Sequence, residues 1–538
     1  MSDKKGQNFL HGAMIYTIGI IVIKILGAFY KIPLGNILDD DGFNHFDVTY
    51  KIYNVFLTIA TAGIPVALSR LISEADALGR EQQVKRVFRV GLYAFLGLGL
   101  FGTVVMMVFP AGLAAFVGDI QATRCIFVMA PSVLLVCVAA AYRGYAQGHA
   151  DMIPTTLSQI VETGVKVVVG LAAAGILHRM GRSVEICAAG AILGTTVSSL
   201  AAMLYMQIAV RRKYVVNPPV TPESDTPDSA RSILWQLLKI GVPITISTSI
   251  MSLIQLTDSM VTLNQLQNGA GYTAAAAYTL NGAYAKAMTI YNVPAAFVIP
   301  FMATIVPAVS AARVRGDRIG ACDVAESSMR MCTILCLPMG VGMAVLAKPC
   351  MQVLYPGSAS QGGVLLMELG IVCYFMTMSL MANSILPANG NERLPLVASV
   401  LGLITKATVT YVLVGNPAIN IYGAPLGTLS CYLVMLTTNL IFIARNMARP
   451  MNLGRIFGRA GVSAAAMGVA AWAVWSLLSA QLHVADGGRL GLYIAFGAAV
   501  LTGVVVYAVM VIALRAITLE DMKLIPNGEK YAGILHIR

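Results

Sequence analysis

The sequence predicts an all-α polytopic membrane protein with fourteen transmembrane helices, ordered as six spans, a linker, six spans and a final pair. Three observations carry the prediction. Hydrophobic residues make up 57% of the 538 residues and charged residues only 12%, about half the charged share of a soluble domain. Apolar runs recur along the whole chain, each of about 20 residues and so long enough to cross the hydrocarbon core. Lysine and arginine crowd into alternate connecting segments.

The runs lie at 10–34, 48–70, 88–117, 125–145, 156–177, 187–210, 236–263, 281–309, 327–348, 364–387, 394–414, 420–444, 459–482 and 490–514. The opening MSDKKGQNFLHG is too short for a secretory leader and has no small-residue cleavage site, so the first run is expected as a retained span. After the sixth span comes NPPVTPESDTPDSARS, residues Asn217 to Ser232, with four prolines among polar residues. That composition reads as a flexible linker. The expected organisation is a first lobe over 1–216, a cytoplasmic linker over 217–232, a second lobe over 233–446, and a last helix pair with a tail over 447–538. The remaining connections are short. DDDGFNHFD, residues Asp39 to Asp47, is the only acid-rich one on the outer side.

With the N-terminus inside, the inner segments hold 24 lysines and arginines and the outer segments 5. This positive-inside bias places both termini in the cytoplasm. The net charge of +12 is therefore topological, and no basic block interleaved with aromatics is left for a nucleic acid. Nine cysteines and six histidines are scattered, with no C-x-x-C or H-E-x-x-H spacing, so no metal or cofactor is expected.

The second span contains Ile52-Tyr53-Asn54-Val55 and the eighth Ile290-Tyr291-Asn292-Val293. Both continue to a proline followed by valine, serine and arginine. The shared tetrapeptide, in the second helix of each half, points to a duplication. A lysine precedes each copy, Lys51 and Lys286.

The residues that carry chemistry are charges inside apolar spans. Lys24 and Lys31 stand seven apart in VIKILGAFYKIPL, close to two helical turns, so they share a face. A lysine at mid-span costs about 2.5–3.5 kcal/mol on insertion scales. Snorkelling to an interface would explain Lys31, whereas a wet cavity explains both. With Arg70 ending the second span and Lys286 opening the eighth, a duplicated architecture would bring Lys24, Lys31, Arg70 and Lys286 together. Several cations in one cavity suit a multiply charged anion such as a diphosphate. Glu162 and Lys166 are spaced i, i+4 and are expected to neutralise each other. Asp258 has no cation in its own helix and is a candidate for coupling to Na+ or H+, or for pairing with a cavity lysine.

GAFYKIPLGNIL, ATAGIPVALSRLISEA, YRGYAQGHADMIPTTLSQIVETGVKVVVG, ATIVPAVSAARVRGD and NIYGAPLGTLSCYL resemble, in order over about residues 9–515, the stage V sporulation protein B family. That family sits in the polysaccharide-flippase branch of the MOP superfamily, beside the MurJ-type lipid II flippases. The resemblance implies two pseudo-symmetric six-helix lobes around a central cavity plus a C-terminal helix pair. It implies alternating access that moves an undecaprenyl-diphosphate-linked sugar, lipid II first, across the cytoplasmic membrane, with membrane lipids and cell-wall synthesis machinery as partners. Carried onto the matching runs, the essential cations fall on Lys24, Lys31 and Lys286, with Arg70 beside them. Lysine stands where relatives often have arginine, which keeps the charge and loses the planar fork.

Other readings rank lower. The transported unit could be another lipid-linked polysaccharide. A MATE-type cation-coupled multidrug exporter would want an acidic or apolar cavity, yet Asp258 and Glu162 are outnumbered by cations. A polytopic glycosyltransferase would want a catalytic carboxylate in a sizeable outer loop, and only Asp39–Asp47 offers one. A scaffold of the division or sporulation machinery gains nothing from buried lysines.

Overall fold

The computed structural model describes residues 29–215 and 226–517, apart from 389, 392, 448, 450, 483 and 485–488, together with positions 19, 22, 23, 26 and 27. All its regular elements are helical among the described residues. Among the described residues, eleven helices are long and apolar enough to cross a membrane, or twelve if the bent pair Ala230–Ile246 and Thr248–Gly269 is one span. Most of the first expected span, including Lys24, lies outside the described residues. The protein is a multi-pass membrane protein, with the span count of fourteen left as the sequence expectation.

The chain divides into two compact units, Met1–Asn264 with Thr273–Gly282, and Gln265–Tyr272 with Ala283–Arg538. The first contains α1 (Asp39–Thr61), α2 (Gly63–Ala77), α3 (Glu81–Val108), α4 (Pro110–Val117), α5 (Thr123–Gly148), α6 (Ile153–Arg179), α7 (Val184–Val210) and α8 (Ala230–Asn264). The helix α9 (Ala274–Tyr291) passes through the division at Gly282. The second unit continues with α10 (Val293–Val314), α11 (Arg318–Val345), α12 (Ala347–Leu354), α13 (Ala359–Ala388), α14 (Leu394–Val414), α15 (Gly423–Asn446), α16 (Leu453–Gln481) and α17 (Arg489–Ala513).

Two features depart from the sequence expectation. The acid-rich stretch Asp39–Asp47 is not a loop but the start of α1. Asp39 takes a φ of +54°, a left-handed turn that Asp tolerates, and this separates α1 from the helical run before it. Asp39, Asp40 and Asp41 then fill the first turn, where the helix dipole favours acids. The eighth expected span is not continuous, because α9 stops at Tyr291 and α10 starts at Val293 with Pro294 in its first turn. Proline supplies no N–H there, and a helix start is where none is needed. The second Ile-Tyr-Asn-Val copy thus straddles a helix break, whereas the first lies inside α1. The two compact units part after α8. Helix α8 belongs to the first unit because it is seated closely on α1 and α2. A Cβ on Gly63 would meet the Gly241 carbonyl oxygen at 2.0 Å, and Thr58 and Ser252 hydroxyls meet at 2.6 Å.

Small residues set the other close crossings, as expected where no water is available to drive association. A Cβ on Gly194 of α7 would lie 2.4 Å from the Cα of Gly170 on α6. In the second unit, Gly340 of α11 and Gly370 of α13 approach similarly, with 2.7 Å from a Gly340 Cβ to the Gly370 carbonyl oxygen. The core around α11 and α13 is rich in Met329, Cys332, Cys336, Met378 and Met381, flexible or small side chains that fill irregular gaps.

Candidate functional site

The residues that position charge in the first unit lie on α1. Its turn Phe46-Asp47-Val48-Thr49-Tyr50-Lys51 puts Asp47 and Lys51 at i, i+4, and their side chains pair at 2.8 Å. Lys31 approaches the same carboxylate from the preceding helical run at 3.9 Å. The Lys51 ammonium also donates to the Ser259 hydroxyl on α8 at 2.6 Å. Asp47 and Lys51 are buried, at 7% and 8% exposure, while the Lys31 side chain is 34% exposed. One carboxylate therefore answers two ammonium groups, one of them on a partly open lysine. Asp258, next to Ser259, is also buried.

In the second unit Lys286 is 3% exposed. It donates to the Ser358 hydroxyl at 3.0 Å and stands 5.6 Å from the centroid of the Tyr355 ring. The hydroxyl and ring partly replace water for the ammonium.

The structure places the other expected residues as follows. Arg70 lies on the exposed side of α2, paired with Glu74 at 2.8 Å, with the two side chains 65% and 55% exposed. It is not brought to Lys31. Glu162 does not pair with Lys166. Its partner is Arg143 of α5, at 2.8 Å, and the same guanidinium donates to Ser158 at 3.0 Å. The Arg143 fork reaches both a hydroxyl and a carboxylate on α6, which an ammonium at i+4 would do less well. Lys166 turns instead to the faces of Tyr30 and Tyr50, 5.8 and 5.9 Å from their centroids.

Sequence reasoning missed Asp47 as the shared counter-ion, because Asp39–Asp47 read as loop. The D-V-T-Y-K spacing at Asp47 and Lys51 was the available signal. It also missed a polar network with a buried centre in the first unit. Asp119 accepts from Asn44 Nδ2 at 2.9 Å, from His45 Nδ1 at 2.6 Å and from the Ala122 amide at 3.2 Å. Asn281 of α9 donates to Asn44 Oδ1 at 2.6 Å, and Thr279 to Asp41 at 2.6 Å. Asn44, His45, Asp119 and Asn281 are each at most 1% exposed. Among the described residues no cluster of His, Cys, Asp and Glu is arranged to hold a metal ion.

A helical fold with lysines seated on hydroxyls, rings and a shared carboxylate inside its apolar spans defines a class of polytopic membrane proteins with charges in their spans. Residues 9–312, just over half of the chain, match the family described as polysaccharide biosynthesis protein, and the chain belongs to that family. It is 25% identical over 425 residues to stage V sporulation protein B of Bacillus subtilis (strain 168), covering 78% of this chain and 80% of the relative. It is 22% identical over 458 residues to lipid II flippase MurJ of the same organism, covering 82% and 83%. Among solved structures, lipid II flippase MurJ in an inward closed conformation matches with a TM-score of 0.66 at 13% identity, covering 93% of this chain and 99% of that one. An inward-facing multidrug resistance MATE family transporter of the MOP superfamily also reaches 0.66, at 15% identity, covering 79% and 95%. These likenesses show a shared fold.

Proposed function

We propose that the protein is a flippase that carries an undecaprenyl-diphosphate-linked cell-wall precursor, with lipid II the first candidate, across the bacterial cytoplasmic membrane by alternating access, both termini being cytoplasmic. The observation that carries the reading is the pair of lysines at Asp47, where Lys31 and Lys51 meet one carboxylate inside the spans and the Lys31 side chain is 34% exposed. A partly open ammonium beside apolar spans attracts a phosphate-bearing headgroup and repels the cationic substrates of a multidrug exporter. Lys286, seated on a hydroxyl and a ring, supplies a further cation. Family membership and the relatives named as a lipid II flippase and a sporulation protein support the same substrate class. An apolar groove of about 500 Å³ between α11 and the pair α16 and α17, lined by Pro338, Met343, Phe496 and Tyr507, suits an isoprenoid tail. Lys24 joins the substrate-binding set from the sequence, by the face it shares with Lys31 and by the resemblance. A coupling ion, Na+ or H+, would act at Asp258 in this scheme.

The test is the surface exposure of labelled lipid II in cells carrying K31Q, K51Q or K286Q at equal expression. Each is expected to lose most of the activity, because an isolated phosphate contact of this kind is worth about 1.5–3 kcal/mol. R70Q, whose exposed pair with Glu74 contributes well under 1 kcal/mol, is expected to retain it. Full activity in K31Q and K286Q together would refute the reading.

A further inference from the structure

The departure of Glu162 to Arg143 leaves Lys166 in an unusual setting. It is half-buried within the span α6. Among the described residues no carboxylate lies within ion-pair distance of it. Its ammonium rests on two tyrosine faces. The rings are held in place from behind. The Tyr30 hydroxyl donates to the Ala191 carbonyl at 3.2 Å, and the Tyr50 hydroxyl meets Thr195 at 2.5 Å, both on α7. Phe46 closes the cage, 6.0 Å from Tyr30 and 4.8 Å from Tyr50 between centroids.

Lys166 does not face the apolar surface of its helix. Leu157 and Val168 are 42% and 69% exposed, and they lie roughly 180° and 160° round α6 from it. Snorkelling along that lipid-facing stripe is therefore not its arrangement. The two tyrosines are the chain neighbours of Lys31 and Lys51, and Phe46 is the neighbour of Asp47. One set of helix turns thus alternates rings that seat Lys166 with charges that form the Asp47 cluster.

A ring face attracts an ammonium by about 0.5–2 kcal/mol but leaves its formal charge intact. It also accepts none of the three N–H bonds as well as an oxygen does. The ammonium is thus held in position with donors unspent, which is what an anion subsite requires. A structural lysine would be expected to hold a carboxylate or carbonyl, and the neighbouring Arg143 does so.

We propose that Lys166, seated on Tyr30 and Tyr50, is an anion subsite of the first unit that takes a phosphate oxygen of the headgroup. The proposal rests on the flippase reading and adds a cation to it. The experiment measures binding of undecaprenyl diphosphate, and separately of inorganic pyrophosphate, to the full-length protein in nanodiscs. Compared are wild type, K166Q, K166M, K166R and K31Q. K166Q and K166M are expected to weaken binding of the lipid roughly tenfold or more, as loss of one charge-assisted hydrogen bond does, while K166R stays within about threefold because charge is kept. Methionine packs on aromatic rings, so K166M preserves the cage where K166Q destabilises it. A parallel drop for pyrophosphate shows that phosphate alone is read. A drop confined to the lipid shows that the phosphate must be lipid-borne. If K31Q weakens binding while K166Q and K166M do not, the subsite is overturned and the flippase reading stands. If wild type binds neither probe, the flippase reading fails and the subsite with it.

Discussion

Asp47 is the most exposed to a quantitative test, since its carboxylate answers Lys51 at 2.8 Å and Lys31 at 3.9 Å. Replacing it with asparagine removes both attractions and leaves two ammonium groups facing each other. At an effective dielectric of about 20, the lost Coulomb energies are about 6 and 4 kcal/mol. Desolvation offsets most of that in the intact cluster, but a buried charge stripped of its partner costs about 3–5 kcal/mol. D47N is therefore expected to lower stability by about 3–5 kcal/mol, nearly all of it from Lys51, which is buried, and little from the half-exposed Lys31. Adding K51M removes the stranded charge, so D47N/K51M should recover at least half of the loss. Reversible unfolding in mixed detergent micelles, run as a double-mutant cycle, reads both numbers. D47N within 1 kcal/mol of wild type, or K51M deepening the loss instead of relieving it, would refute the pairing and its burial.

Two further outcomes follow from the geometry. D119N turns an acceptor-only carboxylate into a group with two donors of its own, aimed at the Asn44 and His45 donors. It should cost about 2–4 kcal/mol, and an N44A/D119N pair should cost less than the sum of its parts, read in the same unfolding assay. G194V places a branched side chain where even a Cβ would lie 2.4 Å from the Gly170 backbone. The α6–α7 crossing must open, so at least 2 kcal/mol is expected to be lost, whereas Gly164, whose Cβ would meet nothing within 4 Å, should accept alanine without penalty.

The residues differ in how far they could be read in advance. The spans were legible because hydropathy over about 20 residues is a local property that the membrane sorts directly. The shared face of Lys24 and Lys31 was legible from helical spacing, as was the i, i+4 relation of Asp47 and Lys51 once α1 was known to begin at Asp39. The Asp119 network was not, because Asn44, Asp119 and Asn281 are far apart in the chain and carry no common motif. Nor was the seat of α8, which depends on the Gly63–Gly241 approach.

By itself, then, the sequence determined the class of the protein, its helical character, its family and the identities of the charges buried in its spans. Only the tertiary structure decided which charge answers which. Helical periodicity says which side chains share a face, but not which neighbouring helix that face meets. Glu162 stood four residues from a lysine and went to Arg143 on α5. Lys166 turned from that acid to two tyrosines more than a hundred residues earlier in the chain. Lys51 found Ser259 208 residues away. Such partnerships arise when small residues let helices approach and leave each polar group only the company within reach.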